Sequence, residues 1–156
     1  MSIHIPADQE ERINIILHKL KFISEDQKPA VLVMTSVNPP EYEMNDWLHE
    51  LLRMAGGRIY DTQASDGKAM FNPDLILVLT DQIEGVLGDL GVLLSLSEWE
   101  QTNAVKNNRI YLVDEGNALI EDESKLADNL ELLAEIIYPQ YLTYGGNGDK
   151  WIQFDV

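Results

Sequence analysis

Three polar stretches of this chain follow directly on apolar runs: "TSVNPPEY" over residues 35–42, "TDQI" over 80–83 and "DEGN" over 114–117. They concentrate hydroxyls, amides, carboxylates and a phenol, and contain no histidine, cysteine or lysine. Such a set suits holding a ligand by hydrogen bonds and offers no imidazole, thiolate or amine for acid–base or nucleophilic work. Ser36, Asn38, Tyr42, Asp81, Gln82 and Asn117 are the candidate ligand contacts. Polar turn residues also cap their own backbone as a matter of course. Their value as a site therefore rests on whether the fold brings them together.

Other chemistry is excluded more directly. The chain has no cysteine, which removes disulfides, thiolate nucleophiles and cysteine-ligated metal centres. His4, His18 and His49 lie far apart, each without a partner at metal-ligand spacing, so surface or packing roles are expected and no metal site. "GGNGDK" at 145–150 is glycine-rich, but no Lys-Ser/Thr pair and no following helix complete a phosphate loop, and it reads as a turn. "NPDLILVLTD" looks like a strand bearing a phosphoacceptor aspartate. The acidic pair that would hold magnesium is missing after the first strand, where Glu41 and Glu43 come too late. No catalytic residue is assigned. With 27 acidic against 11 basic residues the formal charge is -16, which makes nucleic acid and anionic membrane surfaces poor partners. No apolar run approaches the roughly 20 residues needed to span a bilayer.

The elements that must position the polar stretches follow from periodicity. "ADQEERINIILHKLKFI" spaces Ile13, Ile16, Leu17, Leu20 and Ile23 for a helix over 8–23, with Asp8 and Glu11 forming a reciprocal cap. "KPAVLVMTS" predicts a strand buried on both faces, Ala30 to Met34. "EMNDWLHELLRMAGG" predicts a helix stopped at Gly56 and Gly57. A brief extended "RIY" and a polar loop lead to a second apolar strand, Leu75 to Leu79, set by Pro73. "QIEGVLGDLGVLLSLSEWEQ" is helical in pattern, with Gly85, Gly88 and Gly91 either permitting close packing or breaking it in two. A third strand, Arg109 to Val113, is entered through a turn at Asn107 and Asn108. "SKLADNLELLAEIIYPQ" then sets Leu126, Leu130, Leu133 and Ile137 on one helical stripe. The tail "YLTYGGNGDKWIQFDV" reads as a hairpin or an added edge strand. Trp47 and Trp99 sit within or beside apolar patterns and read as packing residues.

Alternating strands and helices predict a single α/β domain, a three-layer α/β/α lobe with a mostly parallel central sheet. Its ligand end lies at the carboxyl ends of the strands.

Taken in order, "AVLVMTSVNP", "LLRMAGG", "FNPDLILVLT", "EWEQTNAVKNNRIYLVD" and "LADNLELLAEIIYPQ" resemble the carboxy-terminal lobe of the substrate-binding proteins of ABC importers for cobalamin, ferric siderophores and haem. Gly56-Gly57, Asn72-Pro73-Asp74, and Trp99 ahead of Ala104-Val105-Lys106 carry it most specifically. The resemblance implies a lobe over 24–140, with 8–23 as the end of an interlobe helix and 141–156 as an extra tail. It also implies a cleft completed by a second lobe, a ligand such as cobalamin, haem or a ferric siderophore, and an ABC-importer permease as partner. The family docks through a glutamate six positions before the Asn-Pro-Asp stretch. Asp66 stands there in this chain, keeping the charge with a shorter reach.

The expected function is thus noncatalytic binding, with a homodimer or a separately encoded lobe rebuilding the cleft. The competing expectation is a protein–protein scaffold that has lost its ligand, its tail residues Tyr144, Trp151, Ile152 and Phe154 forming the partner interface. Catalysis of the tetrapyrrole-chelatase kind, on a broadly similar lobe, needs a histidine at a strand end, and none stands there. The start "MSIHIPADQEER" lacks a secretory signal pattern, so a cytoplasmic protein is expected if Met1 is the native start, and a periplasmic one otherwise.

Overall fold

The structure is a computed structural model that describes residues 3–42, 45–62, 71–116 and 118–155. Asp66 and Asn117 lie outside the described residues.

Three parallel strands form the centre: β1 (Ala30–Val37), β4 (Leu75–Thr80) and β5 (Ile110–Asp114). In β4 every residue is buried, which a strand covered on both faces requires of its sequence. On the far side of β1 two short strands share one edge. β3 (Arg58–Ile59) runs parallel beside Ala30 and Val31, while β2 (Pro40–Tyr42) folds back antiparallel from Val37 to Met34. β6 (Trp151–Phe154) pairs antiparallel with β5 and closes the opposite edge. The sheet order is β2-β1-β4-β5-β6, with β3 against β1.

Side-chain alternation divides the core between two helical layers. Val31, Val33, Leu75, Leu77, Tyr111 and Val113 face α1 (Glu10–Leu20), α2 (Asp46–Met54) and α6 (Leu126–Ile137). Leu32, Met34, Ile76, Val78, Ile110 and Leu112 face α3 (Ile83–Leu94) and the single turns α4 (Ser97–Glu100) and α5 (Asn103–Lys106).

Several expectations need correction. The first helix covers Glu10–Leu20 rather than 8–23, with a 3-10 turn at Ala7–Gln9 ahead of it, and no side-chain cap of its own. Gln9 reaches across instead: its Nε2 donates to the Glu123 carbonyl at 2.9 Å and its Oε1 accepts from the Ala127 N–H at 2.7 Å. That oxygen satisfies an orphan donor at the start of α6. β1 is longer than the apolar run because its last residues pair with β2. Of the two forms expected for the tail the structure has the edge strand, but Trp151 is only 6% exposed, against Tyr111. Ile152 and Phe154 pack on the α3 layer. Of the four tail residues expected at a partner interface, Tyr144 alone is classed as exposed.

The glycines of α3 neither break the helix nor admit an internal neighbour. A Cβ on Gly88 would meet nothing within 4 Å, and those on Gly85 and Gly91 would make ordinary contacts at 3.6 Å and beyond. Each nonetheless lowers helix stability by about 1 kcal/mol relative to alanine. Gly56 is different: its φ of +88° suits the end of α2, and an added Cβ would lie 2.6 Å from Tyr138 Cε2.

α6 is anchored from several directions. Arg109 donates to the Ile136 and Ile137 carbonyls at 2.8 and 3.0 Å, capping the carboxyl end, where a cation is favoured. Arg12 joins Asp128 and Glu131 at 2.7 Å each. Glu135, 4% exposed, accepts the backbone N–H groups of Tyr144, Gly145 and Gly146 and the Trp151 indole N–H. Burial pushes its carboxyl up, and the backbone bonds outweigh burial, leaving it below the ordinary 4.5.

A carboxylate with a depressed folded value stabilises above the unfolded value and loses that contribution as pH falls through the folded one. Glu135→Gln is therefore expected to destabilise by roughly 2–3 kcal/mol at neutral pH. In urea unfolding series the gap from the parent should shrink in acid. An equal gap at both pH values would show that the charge is not what holds the tail.

Candidate functional site

The parallel register brings the carboxyl ends of β1, β4 and β5 side by side: Met34 lies opposite Val78, and Thr80 opposite Asp114. With adjacent strands about 4.8 Å apart, Ser36, the turn at Asp81-Gln82 and Asp114 form one rim roughly 10 Å long. Ser36 is half-buried on β1, opposite Glu41, and Asn38 is exposed in the β1–β2 turn. Asp81 and Gln82 are exposed where β4 turns into α3. Local turns take up part of the rim. Thr80 Oγ1 accepts from Gln82 N–H at 3.0 Å, and Asp114 Oδ1 accepts from Gly116 N–H at 3.1 Å. Asn117 lies outside the described residues, and Tyr42 stands further back, opposite Met34.

Tyr42 lines a feature that the sequence pattern does not show. The side of β1 between β3 and β2 borders a hollow of about 350 Å³. Its walls are Val31, Leu32 and Val33 of β1, Tyr42 of β2, His49 and Arg53 of α2, and the run Ile59 to Thr62. That volume falls in the range of small-molecule sites. The one usable sequence signal is the four-residue spacing of His49 and Arg53, which puts both on one face of α2. Burial, then the charge of Glu98 and the neighbouring Tyr60, hold the Tyr42 phenol above its ordinary value of 10.0, so it is a neutral hydrogen-bond donor at physiological pH. Arg53 pairs with Glu50 at 3.6 Å on the exposed side of α2. Asp61 supplies a carboxylate at the opposite wall. The hollow thus offers a guanidinium, an imidazole, two phenols and one carboxylate over an apolar floor.

Aromatic rings brace its back. Tyr60 meets Phe71 edge-on with centroids 5.6 Å apart, and Phe71 meets Trp99 at 4.7 Å. The Tyr60 hydroxyl accepts the Asn72 N–H at 3.0 Å. Trp99 is buried and Trp47 half-buried against the α1 layer, so both pack as expected. A second hollow, of about 670 Å³, is lined by Ala7 and by residues of α1. One flank of one helix encloses nothing, and no rim residue reaches it.

Among the described residues no group of three His, Cys, Asp or Glu side chains could hold a metal ion, and no helix is long and apolar enough to cross a membrane. What the site can do is hold a ligand that carries both hydrogen-bonding and apolar surface.

A three-layer α/β lobe with its polar groups at the carboxyl ends of a parallel sheet is the architecture of a periplasmic-type binding-protein lobe, and comparisons with known proteins agree. No family model matches the chain. It is 29% identical over 133 residues to the uncharacterized ABC transporter substrate-binding lipoprotein YvrC of Bacillus subtilis, covering 80% of this chain and 40% of that protein. An ABC transporter substrate-binding protein from Listeria monocytogenes has the same fold over 85% of this chain and 55% of its own, with a TM-score of 0.66 and 23% identity. A periplasmic heme binding protein from Pseudomonas aeruginosa matches 96% of this chain and 56% of its own, at a TM-score of 0.64 and 18% identity. The chain spans less than half of the curated relative and a little over half of these solved structures. It resembles, in sequence and in fold, one lobe of an ABC-importer substrate-binding protein. The relatives are named as a lipoprotein and as periplasmic, and they lend no support to a cytoplasmic address.

Removing the central ring of the brace tests how the hollow is held. Phe71→Ala should cost about 2–3 kcal/mol and shift Trp99 fluorescence to the red as water reaches it. An unshifted spectrum would mean that Phe71 does not seal the layer.

Proposed function

We propose that the chain is the ligand-gripping lobe of a noncatalytic uptake protein. Tyr42 is the observation that carries this reading. It lines the hollow, and its strand pairs with the end of β1, where Glu41 lies opposite Ser36, so a ligand long enough to reach from the hollow to the strand ends would meet Tyr42, Ser36 and the groups of α2 together. One lobe covers only one side of such a ligand. A second lobe, from a second copy of this chain or from other sequence, closes the cleft.

The ligand class that suits a rim of polar groups beside an apolar-floored hollow is a metal–organic chelate or tetrapyrrole: haem, a ferric siderophore or a corrinoid. Each has a broad apolar or semi-polar body and a fringe of hydrogen-bonding groups. Release to an ABC-importer permease, with Asp66 at the docking position, and work outside the cytoplasmic membrane complete the reading.

The test is equilibrium titration of the full chain with haem, cyanocobalamin and a ferric hydroxamate siderophore, beside a native mass spectrum of protein taken from its own cells. One of the three is expected to bind saturably, and Tyr42→Ala should weaken it by about tenfold or more, equivalent to 1.4 kcal/mol, with the fold intact by circular dichroism. An extra mass of the same ligand on a dimer or heteromer agrees with a rebuilt cleft. Failure of all three to bind, with an empty monomer in the mass spectrum, would overturn the proposal.

A further inference from the structure

The outer face of α3 carries a feature that neither the fold nor the strand-end site uses. Gly85, Gly88 and Val92 follow one another at three- and four-residue spacing, so they lie in line on one side of the helix, and Leu96 continues the line just past its end. All four are exposed, Val92 at 68% and Leu96 at 52%. The first two turns of that line are bare backbone, and the next two offer apolar side chains to solvent. Glu84 and Asp89 flank the line on either side, both exposed.

None of the usual reasons for glycine operates. Neither Gly85 nor Gly88 has a positive φ, a Cβ on Gly88 would touch nothing, and a Cβ on Gly85 would meet only Gln82 at ordinary distance. Alanine would make a better helix at both positions without internal conflict. Bare backbone on an outward line is useful when a body outside the chain has to come close to it. A side-chain ridge of a second helix fits such a floor, and Val92 and Leu96 give it an apolar end to rest on.

Charge selects the occupant. From residue 69 to residue 105 the sequence contains no lysine, arginine or histidine, whereas Asp81, Glu84, Asp89, Glu98 and Glu100 are all exposed. A second copy would bring the same carboxylates against these ones, on top of a net charge of -16. A basic partner removes that repulsion. We propose that the outer face of α3 is a docking surface for an amphipathic helix of another protein, with an apolar ridge that lies over Gly85 and Gly88 and lysines or arginines that reach Glu84 and Asp89.

The test uses the full chain, labelled with nitrogen-15, and a synthetic amphipathic leucine–lysine peptide of about 18 residues, long enough to form a helix on contact. A glutamate-for-lysine version serves as control. The expected result is saturable shifts of the Gly85, Gly88 and Val92 amides with the basic peptide only, weakened by added salt. Gly88→Leu, which fills the floor, should weaken binding by about tenfold or more. Gly88→Ala should raise the melting temperature of the chain alone. A lowered melting temperature would instead show that the glycine serves the fold. The proposal is also overturned by an absence of binding, by shifts that map to another face, or by a Gly88→Leu variant that binds as well as the parent. Self-association in sedimentation velocity that Gly88→Leu abolishes would replace the basic helix by a second copy.

Discussion

The carboxylate of Asp74 is the fixed point of this lobe. One oxygen accepts the Ala30 N–H at 2.9 Å and the other accepts from Asn103 Nδ2 at 2.9 Å, while its neighbour Asn72 accepts the Asn103 N–H at 2.6 Å. The Pro73 carbonyl takes the Ala104 N–H at 3.0 Å. Three residues thus tie the start of β1, the start of β4 and the turn leading to β5. Parallel strands have no tight hairpin to set their register, so something must set it from outside the ladder. With the amino ends pinned, the carboxyl ends fall in line, and the rim of Ser36, Asp81, Gln82 and Asp114 exists because of it.

The opposite layer is organised by α6 in the same economical way. Its first turn is capped by Gln9 from another element, its last turn by Arg109 from a strand, and its middle by Arg12 and Glu135. Apart from those of Glu135, these bonds are far from local in sequence. They join residues 27 to 119 positions apart, Glu135 and its loop excepted, so the helix and its surroundings form or come apart as a unit.

Much of this was legible in the chain itself. The strands around Leu32, Leu77 and Leu112, the stop at Gly56 and the stripe of α6 follow from alternation and helical spacing. The meaning of Asn72-Pro73-Asp74 could be recognised as a pattern, though not as a clamp, because its partners sit about 30 and 44 residues away. Gln9 misled for the same reason: a cap in trans has no local signature, and the nearby acids made a plausible cap in cis. The hollow was illegible because it comes from what two strands leave out. β3 has two residues and β2 three, and no periodicity reports such brevity. Trp151 was misplaced because a tail after a proline and a glycine turn looks external, whereas Glu135 draws it in.

That split edge of β1 has a further implication. Among the described residues, β3 pairs with Ala30 and Val31, while β2 pairs with Met34, Ser36 and Val37. The Val31 carbonyl points to this side, since it accepts from Tyr60 N–H, and by alternation the amide and carbonyl of Val33 turn toward the β2 side. A short length of β1, Val31 to Val33, thus forms part of the wall of the hollow. The ladder with β4 fixes that part of the wall, so the surrounding side chains are free to change the shape and charge of the hollow around it. A frame of this kind lets the hollow be reshaped without moving the strand that walls it.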